Sequence, residues 1–135
     1  MGAWYEIGIF VGLGVAIGVL AAGIRPRPLV AGVVGAALGF AVGIGIASWE
    51  EAVAGFVGGI AGGLGASPVV SGALRRGGTR AGVAILVAGG AIAAAALAFV
   101  PAVGYLLAVA VPAAGLRLRS RAPERHEGLR TLARD

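Results

Sequence analysis

The chain has 135 residues, 59% of them hydrophobic, and its net charge of +5 comes from 11 arginines against 6 acidic residues. It contains no lysine, asparagine, glutamine or cysteine, so the polar surface of a water-soluble domain and any disulfide or cysteine-ligated metal site are excluded. With a mean hydropathy of +0.96, most of the chain is expected to have lipid as its solvent.

Charged residues divide the chain into four uncharged stretches, and the first three are each close to the ~20 residues that cross a bilayer. The fourth, 81–116, would reach about 54 Å as one helix, so we expect it to turn once, at Pro101. These lengths predict an all-α, polytopic transmembrane helical bundle in residues 1–116, followed by an Arg-rich cytoplasmic tail at 117–135. The predicted spans are 7–24, 28–48, 52–74, 81–100 and 101–116.

The loops alternate in charge along the chain. Arginines occupy the first and third loops, glutamates the second, and six further arginines follow the last span. Five crossings place every arginine on one side, as the positive-inside rule requires. We therefore predict an N-terminus outside and a C-terminus inside, in the cytoplasmic (inner) membrane of a bacterial-type cell. Four aromatic residues then fall near the outer boundary: Trp4, Tyr5, Trp49 and Tyr105.

The third span has recognisable signals at its start and in its second half. Ser48 and Glu51 have the spacing of a capping box, which predicts that the helix starts there. Pro68 predicts a kink or break inside the membrane, where irregular backbone is tolerated only if it is buried or lines a wet cavity. A packed proline kink is favoured at this place, and a solute pathway is the alternative. The candidate pathway residues are Gly63, Leu64, Ser67 and Ser71.

Two segments of the chain resemble each other. Trp4-Tyr-Glu6 precedes Phe10-Val-Gly12, and Trp49-Glu-Glu51 precedes Phe56-Val-Gly58 at a nearly equal distance. This similarity predicts a parallel repeat of a two-helix hairpin, with the fifth helix as an addition. Chance similarity in a chain rich in Gly, Ala and Val is the alternative.

Glycines recur at every fourth position in the second and third spans, and so share one helix face. Such rows let two backbones approach closely, which predicts glycine-zipper packing. We expect these faces to pack within the monomer, and a seam between copies is the alternative. The packing residues are Gly35, Gly39, Gly43, Gly55, Gly59 and Gly63.

No predicted span contains an ionisable residue in its interior. Catalysis or proton transfer within a membrane needs such groups, so we expect no enzyme activity, no metal and no cofactor. Glu6 and Glu51 face the outer boundary, where capping of helix N-termini is favoured over a cation-attracting ring.

Juxtamembrane arginines favour contact with anionic lipid headgroups over nucleic acid. The candidate lipid-contacting residues are Arg75, Arg76, Arg117, Arg119 and Arg121. The predicted partners are the bilayer, its anionic headgroups, and a second copy or another membrane protein.

These features favour a non-enzymatic membrane protein with a structural, assembly or accessory role. A small oligomeric channel, transporter or holin-like pore built around the glycine-rich third helix is the alternative. A lipid-modifying enzyme ranks third, because the side chains for its chemistry are missing.

The predicted topology can be tested with single cysteines at Ala3 and Ser120. Five crossings put these positions on opposite sides, so a membrane-impermeant thiol reagent should label each from one side only. Labelling of both from the same side would contradict five spans.

Overall fold

The computed structural model describes the backbone of residues 2–100 and 102–132 and the side chains up to residue 121. All regular structure in these ranges is helical, as the sequence predicts. The five helices are α1 (Ala3–Ile24), α2 (Pro28–Ile46), α3 (Trp49–Arg75), α4 (Arg80–Ala98) and α5 (Val103–Leu132). The first four are long and apolar enough to cross a membrane.

The fifth predicted span, 101–116, differs from the helix found. Pro101 lies outside the described residues, and Ala102 has a φ of 66°, in the left-handed region, so α5 begins only at Val103. The helix then continues past residue 116, since arginine is a good helix former. Its uncharged part spans roughly 21 Å by helical rise, which is why α5 is not among the four long apolar helices.

The start of α3 is the one that the sequence predicts. The backbone N–H of Ser48 donates to the Glu51 carboxylate at 3.1 Å, and the Ser48 hydroxyl donates to the same oxygen. This capping box begins the helix at Trp49.

A glycine ends α3 at the other side of the bundle. Gly77 has a φ of +88°, which a residue with a side chain rarely adopts. The N–H groups of Gly77 and Gly78 donate to the carbonyls of Leu74 and Ala73, at 3.2 and 3.1 Å. This Schellman pattern satisfies carbonyls that the helix end leaves free and turns the chain towards α4.

The helix at the centre of the bundle is α3. Both α1 and α2 pack along it, while α5 packs against α3 and α1, and α4 packs mainly against α1. Residues 2–121 therefore form a single bundle around the α1–α3 pair.

Glycines face each other between α2 and α3. A Cβ atom added at Gly39 would overlap the Gly55 carbonyl oxygen, and one added at Gly55 would overlap the Gly39 carbonyl oxygen. Gly35 and Gly59 form a similar pair, and a Cβ at Gly35 would lie 2.6 Å from the Gly59 carbonyl oxygen. Gly63 faces the Ala31 backbone at one end of the row. Because the residue numbers of the contacting pairs rise along one helix as they fall along the other, α2 and α3 are antiparallel.

A second row of close contacts joins α1 and α3. A Cβ at Gly58 would overlap the Val11 carbonyl oxygen, and one at Gly62 the Val15 carbonyl oxygen. Since both numbers rise together, α1 and α3 are parallel. Small residues thus occupy two faces of α3. One face packs against α1, and the other packs against α2 and also meets Gly14 and Gly18 of α1.

The interior contains small side chains and the exterior large ones. Val15 and Ser67 are the largest fully buried side chains among the described residues. Ile24, Leu29 and Leu86 are 82%, 78% and 75% exposed. This distribution is unsuited to water and suits a bundle that is surrounded by lipid.

Charges collect at the two ends of the bundle. We call the end with Glu6, Glu50 and Glu51 the acidic end, and the opposite end, with Arg25, Arg27, Arg75, Arg76 and Arg80, the arginine end. Gly104 of α5 packs against Gly8 of α1, and Gly115 of α5 packs against Gly65 of α3. The direction of α5 is therefore that of α1 and α3, from the acidic end towards the arginine end.

The glycine contacts predict that leucine destabilises the bundle much more at Gly39 than at Gly45, both on α2. Gly39→Leu places a branched side chain against the α3 backbone and should lower the free energy of unfolding by ~1–3 kcal/mol. Gly59→Leu on α3 should behave alike. Gly45→Leu is the matched control, because a Cβ there meets no atom within 4 Å. Thermal unfolding in detergent measures the effect, and equal stability of all three variants would contradict it.

Candidate functional site: polar groups and cavities of the bundle

Of the kink or break predicted at Ser67-Pro68, the structure excludes the break, because α3 continues through Pro68 to Arg75. Ser67 is only 1% exposed, and its hydroxyl donates to the Gly63 carbonyl at 2.6 Å. The Ser71 hydroxyl donates to the Pro68 carbonyl at 3.2 Å. Both serines thus bond to the backbone of their own helix, which helps α3 to accommodate the proline.

The four candidate pathway residues face different surroundings. Gly63 packs against Ala31, Ser67 is buried, and Leu64 is 39% exposed, with its side chain 3.4 Å from a Cβ built at Gly32. Neither of the two cavities described below is lined by any of the four. A solute pathway beside these residues remains a prediction.

The first cavity, which we call the apolar crevice, has a volume of about 330 Å³ and is open on one side. It lies where α4 stands apart from α3 and α5 in the half of the bundle near the arginine end. Its walls are almost entirely apolar. They include Val19 of α1, Val69 and Val70 of α3, Leu86 and Gly90 of α4, and Val111 of α5.

The second cavity, which we call the arginine basin, has a volume of about 720 Å³. Arg25, Arg27 and Arg80 line it together with Leu74 and Val83. Val83 also lines the apolar crevice, so the two cavities are neighbours. Two cations from the loop between α1 and α2 and one from the first turn of α4 therefore lie beside the apolar crevice.

The arginines predicted to contact lipid are all exposed: Arg75, Arg76, Arg117, Arg119 and Arg121. None of them lines the arginine basin. Sequence reasoning assigned Arg25, Arg27 and Arg80 only to membrane orientation and did not predict that they share a cavity. Their positions beside two different loops gave no signal of that proximity.

The glutamates at the acidic end do not share one arrangement. Glu51 is 6% exposed and its carboxylate accepts from Ser48, whereas Glu6 and Glu50 are exposed. This placement favours helix capping over a cation-attracting ring.

Within the described residues, no three His, Cys, Asp or Glu side chains come close enough to hold a metal ion. The single histidine, His126, lies outside the described side chains. Comparison with known protein families, curated proteins and solved structures finds no match for this chain.

A cysteine at position 67 tests whether water reaches the candidate pathway. Because Ser67 is buried, Ser67→Cys should resist a small aqueous thiol reagent, while Thr79→Cys, at an exposed position of the arginine end, should react rapidly. The rates can be followed by mass spectrometry of protein in lipid. Comparable rates at the two positions would instead support a wet pathway beside Ser67.

Proposed function

We propose that this protein is a multi-pass protein of the cytoplasmic membrane with a non-catalytic role in structure, in assembly or as an accessory of a larger system. The observation that carries this proposal is the position of the ionisable groups. In residues 2–100 and 102–121 they lie only at the two ends of the bundle, and the one fully buried hydroxyl, that of Ser67, is bonded to the backbone. Proton transfer and acid–base catalysis have no group to use between those ends.

The proposed orientation has the acidic end outside and the arginine end in the cytoplasm. The direction of α5 supports five crossings, because it takes Arg117, Arg119 and Arg121 towards the end that holds the loop arginines. All of these cations then lie on one side, in agreement with the positive-inside rule.

The glycine rows are proposed to form a glycine zipper within one chain. On α3, Gly55, Gly59 and Gly63 face α2, while Gly58 and Gly62 face α1. These contacts leave the bulky residues of α3 at the surface, as expected for a helix whose small faces already have partners.

The same contacts argue against a pore built around α3. A seam between copies would need a free row of small residues, and on α3 the described rows pack against α1 and α2. An oligomeric channel would therefore have to use other helices.

The proposed repeat relates α1 to α3 and α2 to α4. In support of it, α1 and α3 are parallel, and Val11 and Val15 lie level with Gly58 and Gly62, close to the spacing of the repeated motifs. The second helix of each hairpin also packs on the first helix of the other, α2 on α3 and α4 on α1.

A flux assay separates the proposed role from the pore alternative. Liposomes that contain the protein should retain potassium and carboxyfluorescein as well as protein-free liposomes do, because the described ionisable groups lie only at the two ends of the bundle. Cysteine labelling at Ala3 and Ser120 on the same liposomes verifies insertion. Release that rises with protein content would overturn the non-pore assignment.

A further inference from the structure

At the arginine end, two arginines lie at helix N-termini, where the helix dipole disfavours positive charge. The partial positive charge of a helix N-terminus is stabilised by nearby acids and destabilised by cations. At the acidic end, α1 and α3 have glutamates in their first turns, as this rule favours. At the arginine end, α2 follows Arg27 and α4 begins with Arg80, and neither helix has an acid in its first turn.

Helix energetics accounts for some of the arginines but not for these two. Arg25, Arg75 and Arg76 lie at the C-terminal ends of α1 and α3, where a cation is favourable. Arg27 and Arg80 lie at helix N-termini, where a cation is unfavourable, and both line the arginine basin. A bound anion would turn this unfavourable arrangement into a favourable one, since guanidinium groups and helix N-termini both stabilise phosphate.

The surroundings of the basin match an anion. Among the described side chains, every carboxylate lies at the acidic end, on Glu6, Glu50 and Glu51. The loop between α1 and α2 is stiffened by Pro26 and Pro28 and by a hydrogen bond of 2.8 Å from the Arg27 N–H to the Arg25 carbonyl. The backbone positions of two of the three cations are therefore constrained beside the third.

The apolar crevice beside the arginine basin suits an amphiphilic ligand. Its volume falls in the ~300–1,000 Å³ range of small-molecule sites. It is partly open, and Leu86 in its wall is 75% exposed, so that an acyl chain could enter sideways from the bilayer. Val83 lines both cavities, so a single molecule with an anionic head and an apolar chain would contact both.

We propose that one anionic phospholipid of the cytoplasmic leaflet binds here, with its phosphate in the arginine basin and one acyl chain in the apolar crevice. This site rests on the proposed orientation, and its arginines are not those that the sequence analysis assigned to lipid contact at the end of α3 and in α5. Arg25, Arg27 and Arg80 bind the phosphate, and Val83, Leu86 and Gly90 contact the chain.

The headgroup contact is tested by titrating phosphatidylglycerol into the purified full chain and measuring the one-lipid complex by native mass spectrometry. Arg27→Gln with Arg80→Gln should weaken binding roughly thirtyfold, because each arginine near the surface contributes ~1 kcal/mol. Arg75→Gln with Arg76→Gln removes the same charge at the same end but leaves the basin intact. That control should weaken binding by less than about threefold.

The chain contact is tested with two adjacent glycines of α4. A Cβ at Gly89 or at Gly90 meets no atom within 4 Å, so both positions accept a larger side chain. Only Gly90 lines the crevice. Gly90→Phe should therefore fill the crevice and abolish the preference for phosphatidylglycerol over glycerol phosphate, while Gly89→Phe should bind as the unmodified chain does.

Three results would overturn the lipid site. They are equal binding of phosphatidylcholine and phosphatidylglycerol, equal losses in the two arginine pairs, and equal binding by the two phenylalanine variants. Cysteine labelling at Ala3 and Ser120 in liposomes reports separately on the proposed function. Correct labelling together with any of the three results rejects the lipid site alone, whereas failed insertion rejects the membrane orientation and the lipid site with it.

Discussion

Contact between helix backbones along α3 is the interaction on which the other features of this bundle depend. Helices in lipid gain nothing from hiding apolar surface, because lipid tails are as apolar as leucine. Their association relies on dispersion and weak Cα–H···O contacts, which fall off steeply with distance. Gly39 against Gly55 and Gly58 against Val11 bring α2 and α1 close enough for these contacts to add up. Each glycine must therefore stay small, although glycine weakens an isolated helix.

This close packing also determines where the large side chains go. Helices whose backbones nearly touch leave no room for leucine or isoleucine between them, so the interior holds mainly alanine, glycine and valine. The bulky residues face outwards, where lipid can surround them. The helices that lack such contacts are less enclosed, and α4 is the least buried of the four long apolar helices. The crevice between α4 and its neighbours follows from that looser packing.

The charges obey two constraints that coincide at one end and conflict at the other. At the acidic end, glutamates lie at helix N-termini, as the helix dipole favours, and the described residues include no arginine there, as the proposed orientation requires. At the arginine end, the proposed cytoplasmic orientation favours cations in every loop, but the helix dipole favours them only after α1 and α3. Arg27 and Arg80 lie where the proposed orientation favours a cation and the helix dipole disfavours one. Convergence of such residues on one basin places three arginines around a single cavity that an anion could occupy.

The sequence by itself determined the helical class, the boundaries of the first four helices to within a few residues, and the capping box at Ser48. Those features depend on local composition, on charge spacing and on hydrogen bonds between near neighbours. Tertiary structure alone decided which helix lies at the centre, which partner each glycine row meets, and that α3 continues through Pro68. It also decided that Arg25, Arg27 and Arg80 share one basin, because the distance between a loop at residue 26 and a helix start at residue 80 depends on how the bundle packs. A sequence pattern records which residues share a helix face, but only the packed helices determine what that face contacts.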